Sequence, residues 1–199
     1  MEKISNKKLT SRIIGGKFKG RKILLPDIGV TRSSKSRLKE SFFNTIQFDL
    51  VNSNFIEMFG GSGSVGLEAL SRGAKMVWFT ELDRNAYTIL QENCRSLDAS
   101  RCNTQQGDAF VIVPRILDSL KKKGEKCYLY IDPPFSIRDG HEEIYKRVID
   151  FIASIDPSVI HAIVVEHMSG VQFPDKISLF ERKKLKKFGK SSLSYYFPK

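Results

Sequence analysis

Asn54-Phe55-Ile56-Glu57-Met58-Phe59-Gly60-Gly61-Ser62-Gly63-Ser64-Val65-Gly66 is the stretch on which the fold turns. Its first six residues are mostly apolar, β-favouring and too few for a helix, so they read as a short buried strand. Gly61, Gly63 and Gly66 keep the G-x-G-x-x-G spacing, and helix-like sequence runs from Val65 to Leu70. Glycines so placed permit a tight turn, close approach of a ligand to the backbone and close packing of helix on strand. Lys75 to Thr80 reads as a second strand ending in Glu81. A third, about Asn103 to Gln106, leads into Gly107-Asp108-Ala109. Strands alternating with helices in this way predict an α/β fold with a parallel sheet.

The three strand ends carry acids in an order that suits an adenosine-bearing cofactor. Glu81 lies 20 residues after Gly61, where a ribose-binding acid belongs, with Leu82 beside it and Asp83 as a rival for the role. Asp108, next to Ala109, is placed to bond an adenine amino group. Phe59, Gly60, Gly61 and Gly63 form the turn itself. NAD and S-adenosylmethionine both present an adenosine to such a site. Glu57 helps to separate them, because an acid there repels a pyrophosphate and attracts the ammonium of a methionine moiety. An ordinary loop-end acid is the competing reading for each residue alone.

Lys126-Cys127-Tyr128-Leu129-Tyr130-Ile131-Asp132-Pro133-Pro134-Phe135 supplies the second half of the argument. The apolar run reads as a fourth buried strand, and Pro133, lacking an N–H, ends it. Asp132 therefore sits at the carboxyl end of a strand, where open α/β sheets bind ligands. Pro133 and Pro134 stiffen the turn, and Phe135 follows as a flat apolar surface. Such a group suits methylation of an amine conjugated to a ring. The carboxylate and the Pro133 carbonyl each accept one N–H, aiming the lone pair outward, while an aromatic ring stacks on an unstacked base. A plain Pro-Pro turn is the bland alternative.

At 199 residues the chain makes one compact unit, with 41% hydrophobic and 28% charged residues. No run approaches the roughly 18 apolar residues that span a bilayer, and the first residues lack a signal-peptide core. Cys94, Cys102 and Cys127 are odd in number and, like His141, His161 and His167, keep no metal-site spacing. A reduced, cytoplasmic setting without a metal is expected. The net charge of +11 is grouped at the ends. Residues 1–40 hold 12 basic and 3 acidic residues, residues 176–199 hold 8 and 1, and the middle holds 13 and 18. Basic ends on a mildly acidic body suit a nucleic-acid partner.

The division expected is a basic hairpin and helix over residues 1–50 and a catalytic domain over 51–199. Arg12 to Leu24 reads as two short strands around Gly15-Gly16, with Lys17, Lys19 and Arg21 alternating on one face and Phe18 turned to the core. Ser33 or Ser34 is placed to cap a helix with apolar Leu38, Phe42 and Ile46, and Arg32, Lys35 and Arg37 cluster at its start. Arg12, Lys17, Lys19, Arg21, Arg32 and Arg37 are the candidate RNA contacts, giving affinity and position rather than base identity. Further on, Glu142 to Ile155 reads as a helix and Val159 to Glu166 as a strand. Leu179 to Phe197 reads as an antiparallel pair turning at Gly189-Lys190.

From about Arg12 to Phe197 the chain resembles the RsmD family of bacterial 16S ribosomal RNA guanine-N2 methyltransferases. The matching blocks are Arg12-Ile13-Ile14-Gly15-Gly16 with Lys19-Gly20-Arg21-Lys22, Arg32 through Asn44, Phe59 through Gly63 with Gly66 through Gly73, and Asp132-Pro133-Pro134-Phe135. The resemblance implies a seven-stranded, mostly parallel Rossmann-like sheet with its last strand antiparallel, plus a small N-terminal hairpin. It also implies methyl transfer from S-adenosylmethionine to a guanine N2 of small-subunit ribosomal RNA, in an assembling particle. The family has Asp at Glu57, Ala at Gly60, Arg-Pro-Thr at Arg32-Ser33-Ser34 and Arg at Lys39; lysine lacks the bidentate fork of arginine. The rival readings are an amino-methyltransferase acting on DNA or a protein amide, and a non-catalytic ribosome-assembly factor that binds RNA.

Overall fold

The computed structural model describes residues 9–26, 32–46, 49–134 and 141–199, with backbone alone at 32–35 and 141–142. An antiparallel pair, β1 (Thr10–Arg12) and β2 (Lys22–Leu24), precedes α1 (Arg32–Ile46). Strands and helices then alternate: β3 (Asn54–Glu57), α2 (Ser64–Ser71), β4 (Met76–Glu81), α3 (Arg84–Leu97), β5 (Cys102–Gln106), α4 (Ala109–Lys122), β6 (Cys127–Ile131), α5 (His141–Ser154) and β7 (Ile160–Met168). The chain closes with β8 (Lys176–Ile177), β9 (Phe180–Phe188) and β10 (Ser191–Pro198).

The main sheet runs β5-β4-β3-β6-β7-β10-β9-β8. Its first five strands are parallel, and β10 is antiparallel to both β7 and β9. Seven strands were expected; the two-residue β8 makes an eighth at the edge, paired through Lys176 and Ile177. The antiparallel last strand is as expected. Strand order reverses between β3 and β6, and a crevice opens there at the carboxyl ends. The register pairs Glu57 with Tyr130, so Asp132 stands two residues further along the neighbouring strand.

Alternation along the strands divides the core in two. Phe55, Val77, Phe79, Tyr128 and Tyr130 face α1, α2 and α3, whereas Ile56, Met58, Leu129 and Ile131 face α4 and α5. Full burial of each large apolar side chain is worth about 1.5–3 kcal/mol, which makes these strands the anchor of the fold. Gly66 lets α2 lie close: a Cβ there would stand 2.4 Å from the Phe79 ring. Ile13 and Ile23 of the N-terminal pair and Leu38, Phe42, Phe43 and Ile46 of α1 join the same cluster as α2.

Two local readings are corrected. The turn of the N-terminal pair is not at Gly15-Gly16; it closes over 16–21, through Lys19 N–H to Gly16 O, Arg21 N–H to Phe18 O and Gly20 N–H to Ile13 O. Gly15 and Gly16 instead lie against α2, where Glu68 accepts from Ile14 N–H and Gly15 N–H at 2.8 Å each. Lys17 and Lys19 therefore belong to a turn rather than to the face of a strand. Arg21 lies just ahead of β2. Helix α1 begins at Arg32, so Ser33 and Ser34 fall within its first turn. Phe18 is partly buried against the core, as expected. Gly189 and Lys190 form the turn between β9 and β10.

Candidate active site

Glu57 ends β3 with its side chain buried beneath the start of α2. Its Oε2 accepts from Gly66 N–H at 2.7 Å and its Oε1 from Val65 N–H at 3.3 Å. Burial pushes the Glu57 carboxyl up to about 8, against the pull of those two N–H groups; the nearby Asp132 charge raises it further. A carboxyl so desolvated gains most from a cation brought beside it.

The glycine loop is braced from the next strand. Gly60 N–H donates to Thr80 O at 2.7 Å, Gly61 N–H to Glu81 Oε2 at 2.7 Å, and Gly63 N–H to Gly60 O at 2.6 Å. Glu81 Oε1 accepts from Asp83 N–H at 2.8 Å. Asp83 caps α3 by accepting from Ala86 N–H, so one of its oxygens is spent on the helix. Leu82 beside them is 70% exposed, an apolar side chain offered to solvent at the loop. Asp108 caps α4 through Phe110 N–H at 2.8 Å, and its other oxygen meets Arg147 at 3.3 Å. Ala109 behind it is buried. Phe59 and Phe110 meet edge to face at 5.8 Å, and the Arg147 guanidinium lies over Phe110.

A cavity of about 490 Å³ opens at the β3/β6 crevice, and it collects Glu57, Phe59, Gly60, Gly61 and Asp132 from the predicted set. Gly63, Glu81, Leu82, Asp108 and Ala109 do not line it. Pro133 is buried and Pro134 exposed, while Phe135 lies outside the described residues. Arg12, Ile14 and Leu38 also line it, so the N-terminal segment and α1 help to wall the cavity. A second cavity, about 570 Å³, lies between residues 169–175 and β9–β10; no predicted site residue reaches it.

Sequence reasoning missed three contributors. Lys39 lines the cavity and is only 4% exposed, with Nζ 3.1 Å from Ser64 Oγ and 3.6 Å from Glu68 Oε2. Burial lowers its pKa, with Glu68 and then Glu57 pulling the other way. Tyr130 donates to Glu166 Oε2 at 2.7 Å at the cavity floor, and burial raises the phenol well above its ordinary value. Asn93 on α3 joins β2 to the glycine loop, accepting from Leu24 N–H and donating to Leu24 O and Ser62 O. For Lys39 a signal existed: with Phe43 and Ile46 it keeps an i, i+4, i+7 spacing on an apolar helix face.

Of the candidate RNA contacts, Arg12, Lys17, Lys19, Arg21 and Arg37 are exposed. The Arg12 guanidinium holds Gly20 O, and that of Arg21 holds Ser96 O near the end of α3. The side chain of Arg32 lies outside the described residues. Among the described residues no helix is long and apolar enough to cross a membrane, and no group of three or more His, Cys, Asp or Glu is arranged to hold a metal ion.

Comparison with known proteins gives a consistent set of relatives. The model of the family described as conserved hypothetical protein 95 matches residues 11–197. Ribosomal RNA small subunit methyltransferase D of Haemophilus influenzae is 31% identical over 92% of this chain and 94% of its own. The Escherichia coli protein of that name is 36% identical over 62% of this chain and 60% of its own. Among solved structures, an Escherichia coli protein described as a "putative methyltransferase" superposes with a TM-score of 0.74 at 26% identity, covering 96% of this chain and 98% of that one. An RNA methyltransferase from Salinibacter ruber, solved with S-adenosyl-L-homocysteine, gives 0.52 at 10% identity over 86% and 95%, a likeness of fold.

Proposed function

The chain belongs to the RsmD family of methyltransferases, and from that premise we propose that it moves a methyl group from S-adenosylmethionine to the exocyclic N2 of a guanine in small-subunit ribosomal RNA. The observation that carries this reading is the placing of Asp132 in one cavity with Glu57 and the Gly60–Gly61 turn. The residues fit the cofactor: the cavity is of ligand size, and it holds a buried carboxyl whose ionised form a methionine ammonium would stabilise. Exposed Leu82, next to Glu81, suits the apolar surface of an adenosine. Glu81 is favoured over Asp83 for the ribose, because it already faces Gly61. Asp108 and Ala109 are assigned to the adenine; there Asp108 exchanges its contact with Arg147 for one with the base.

When bound, the cofactor supplies an electrophilic methyl on a sulfonium. Every other task falls to the protein. Asp132 and the Pro133 carbonyl each accept one N–H of the guanine amine, which turns its lone pair out of conjugation. Phe135 is assigned to stacking on the base. Asp132 need not remove a proton beforehand, since the N–H becomes acidic only as the new bond forms; Asp132, already accepting that N–H, then takes the proton and passes it to solvent. Rate enhancement then comes from positioning and fixed charge. The exposed cations Arg12, Lys17, Lys19, Arg21 and Arg37 are assigned to phosphates of the RNA, Arg12 closest to the cavity.

The test uses S-adenosylmethionine tritiated in the methyl group and small-subunit particles from cells lacking the enzyme. Label should elute as N2-methylguanosine after digestion of the RNA, and Asp132→Ala should abolish it while still binding S-adenosylhomocysteine. Binding without label in ribosomal RNA would overturn the substrate assignment and turn attention to DNA and protein amides.

A further inference from the structure

A buried ammonium is an unusual wall for a cavity, and Lys39 is one. It stands on α1, whose Leu38, Phe42 and Phe43 belong to the core, and its head ends beside the first residue of α2. Among the described residues its partners are Ser64 Oγ at 3.1 Å, Ser64 O at 3.4 Å and Glu68 Oε2 at 3.6 Å. Glu68 is already supplied. It takes Ile14 N–H and Gly15 N–H at 2.8 Å and Arg72 Nε at 2.9 Å. A lysine head has three donors, and only one of these contacts is at an ordinary hydrogen-bond distance. The charge is therefore held in a dry place with donors to spare, which costs stability unless a ligand uses them.

What lies across from it defines that ligand. Glu57, a buried carboxylate, lines the same cavity and is close enough to act on the Lys39 charge. The obvious competitors for an anionic group are the N–H groups of the loop and of α2. Those of Gly60, Gly61 and Gly63 are spent on Thr80 O, Glu81 and Gly60 O, and those of Val65 and Gly66 on Glu57; among the described residues the N–H groups of Ser62 and Ser64 are the two left, neutral donors beside the charged head of Lys39.

We infer that Lys39 binds the α-carboxylate of the cofactor's methionine end, forming with Glu57 a pair of opposite charges that reads an amino-acid zwitterion. This rests on the S-adenosylmethionine reading but not on the RNA substrate. It moves the carboxylate from the Gly60–Gly63 backbone, where the glycine turn alone would assign it, to Lys39; the turn then sets the approach of the ligand. A charge-assisted hydrogen bond in such a place corresponds to roughly a 10- to 100-fold effect on affinity.

The experiment is calorimetric binding of three ligands to the full chain. They are S-adenosylhomocysteine, its decarboxylated analogue with the amine but no carboxylate, and 5′-methylthioadenosine, which has neither. The wild type should prefer S-adenosylhomocysteine to the decarboxylated analogue by about 10- to 100-fold. Lys39→Met should erase that preference and leave the affinity for methylthioadenosine within about twofold, whereas Lys39→Arg should keep much of it. Equal loss of all three ligands in Lys39→Met would mean a packing role and overturn the inference. A wild type indifferent to the carboxylate would overturn it without any variant. Failure of the wild type to bind any adenosyl ligand would instead remove the cofactor reading on which the inference stands.

Discussion

The molecule has a basic hairpin at each end, and the two are held in opposite ways. β9 and β10 are joined over eight register pairs, and β10 is stitched to β7 over six more, so main-chain hydrogen bonds carry the attachment. β1 and β2 share only three pairs and belong to no larger sheet. They are attached mainly through side chains of the helices, Glu68 to Ile14 and Gly15, Ser71 to Gly15 and Phe18, and Asn93 to Leu24, with a single main-chain bond to α2, Lys17 N–H to Ser71 O. A ladder spreads its load over many similar bonds. An attachment through three buried polar side chains concentrates it, and the loss of one leaves backbone groups unmatched in a dry interior.

Glu68 offers the sharpest way to break this comparison. Glu68→Ala would strip partners from two amides and from Arg72 and Lys39 at once, and a loss of about 3–5 kcal/mol is expected in urea unfolding. A loss under about 1 kcal/mol would show that the N-terminal pair does not depend on that side chain.

Glycine turns give the next test. Gly16 has φ +76 and a Cβ there would lie 1.9 Å from Ser71 O, so Gly16→Ala must move α2 or the turn, and more than about 2 kcal/mol should be lost. Gly189 has φ +60 with nothing within 4 Å, and Gly189→Ala should lose about 1 kcal/mol, the left-handed cost alone. Thermal unfolding of the two variants in parallel would expose the reverse order, which the comparison forbids.

The smallest effect is expected at Lys186, where β9 is tied by a side chain to α1. Its Nζ donates to Ser41 Oγ and Thr45 Oγ1 at 2.8 Å each. Because the ladder bears the attachment, Lys186→Met should cost about 1 kcal/mol or less. A cost equal to that of Glu68→Ala, measured in the same denaturant, would erase the distinction between the two hairpins.

The same contrast explains what could be read from the sequence. The Gly189-Lys190 turn, the strand ended by Pro133 and the glycine loop are set by signals within a few residues, and each was legible. The Gly15-Gly16 pair was misread as a turn because its reason lies on α2, at Glu68 and Ser71, more than 50 residues away. Lys39 was noted only as a lysine where the family has arginine, since nothing local shows that Ser64 and Glu68 receive it. Likewise Glu81 was singled out by spacing, but its grip on Gly61 N–H shows only when β4 lies beside β3. The irregularity opposite Tyr195 and Tyr196, where Lys183 has no register partner in the ladder, was also invisible; it turns Lys184 and Lys186 to one face and Leu185 and Lys187 to the other.

The pairing of Glu57 with Tyr130 has one more consequence. Asp132 stands two residues beyond that pair on an adjacent strand, about 6.6 Å along the sheet and about 4.8 Å across it. Those spacings belong to the main chain, so the sheet acts as a ruler between the post assigned to the donor and the post assigned to the acceptor. Substitution can retune the charge at either post. Only an insertion or deletion within β3 or β6 could change the span, and it would turn every following side chain of that strand to the wrong face.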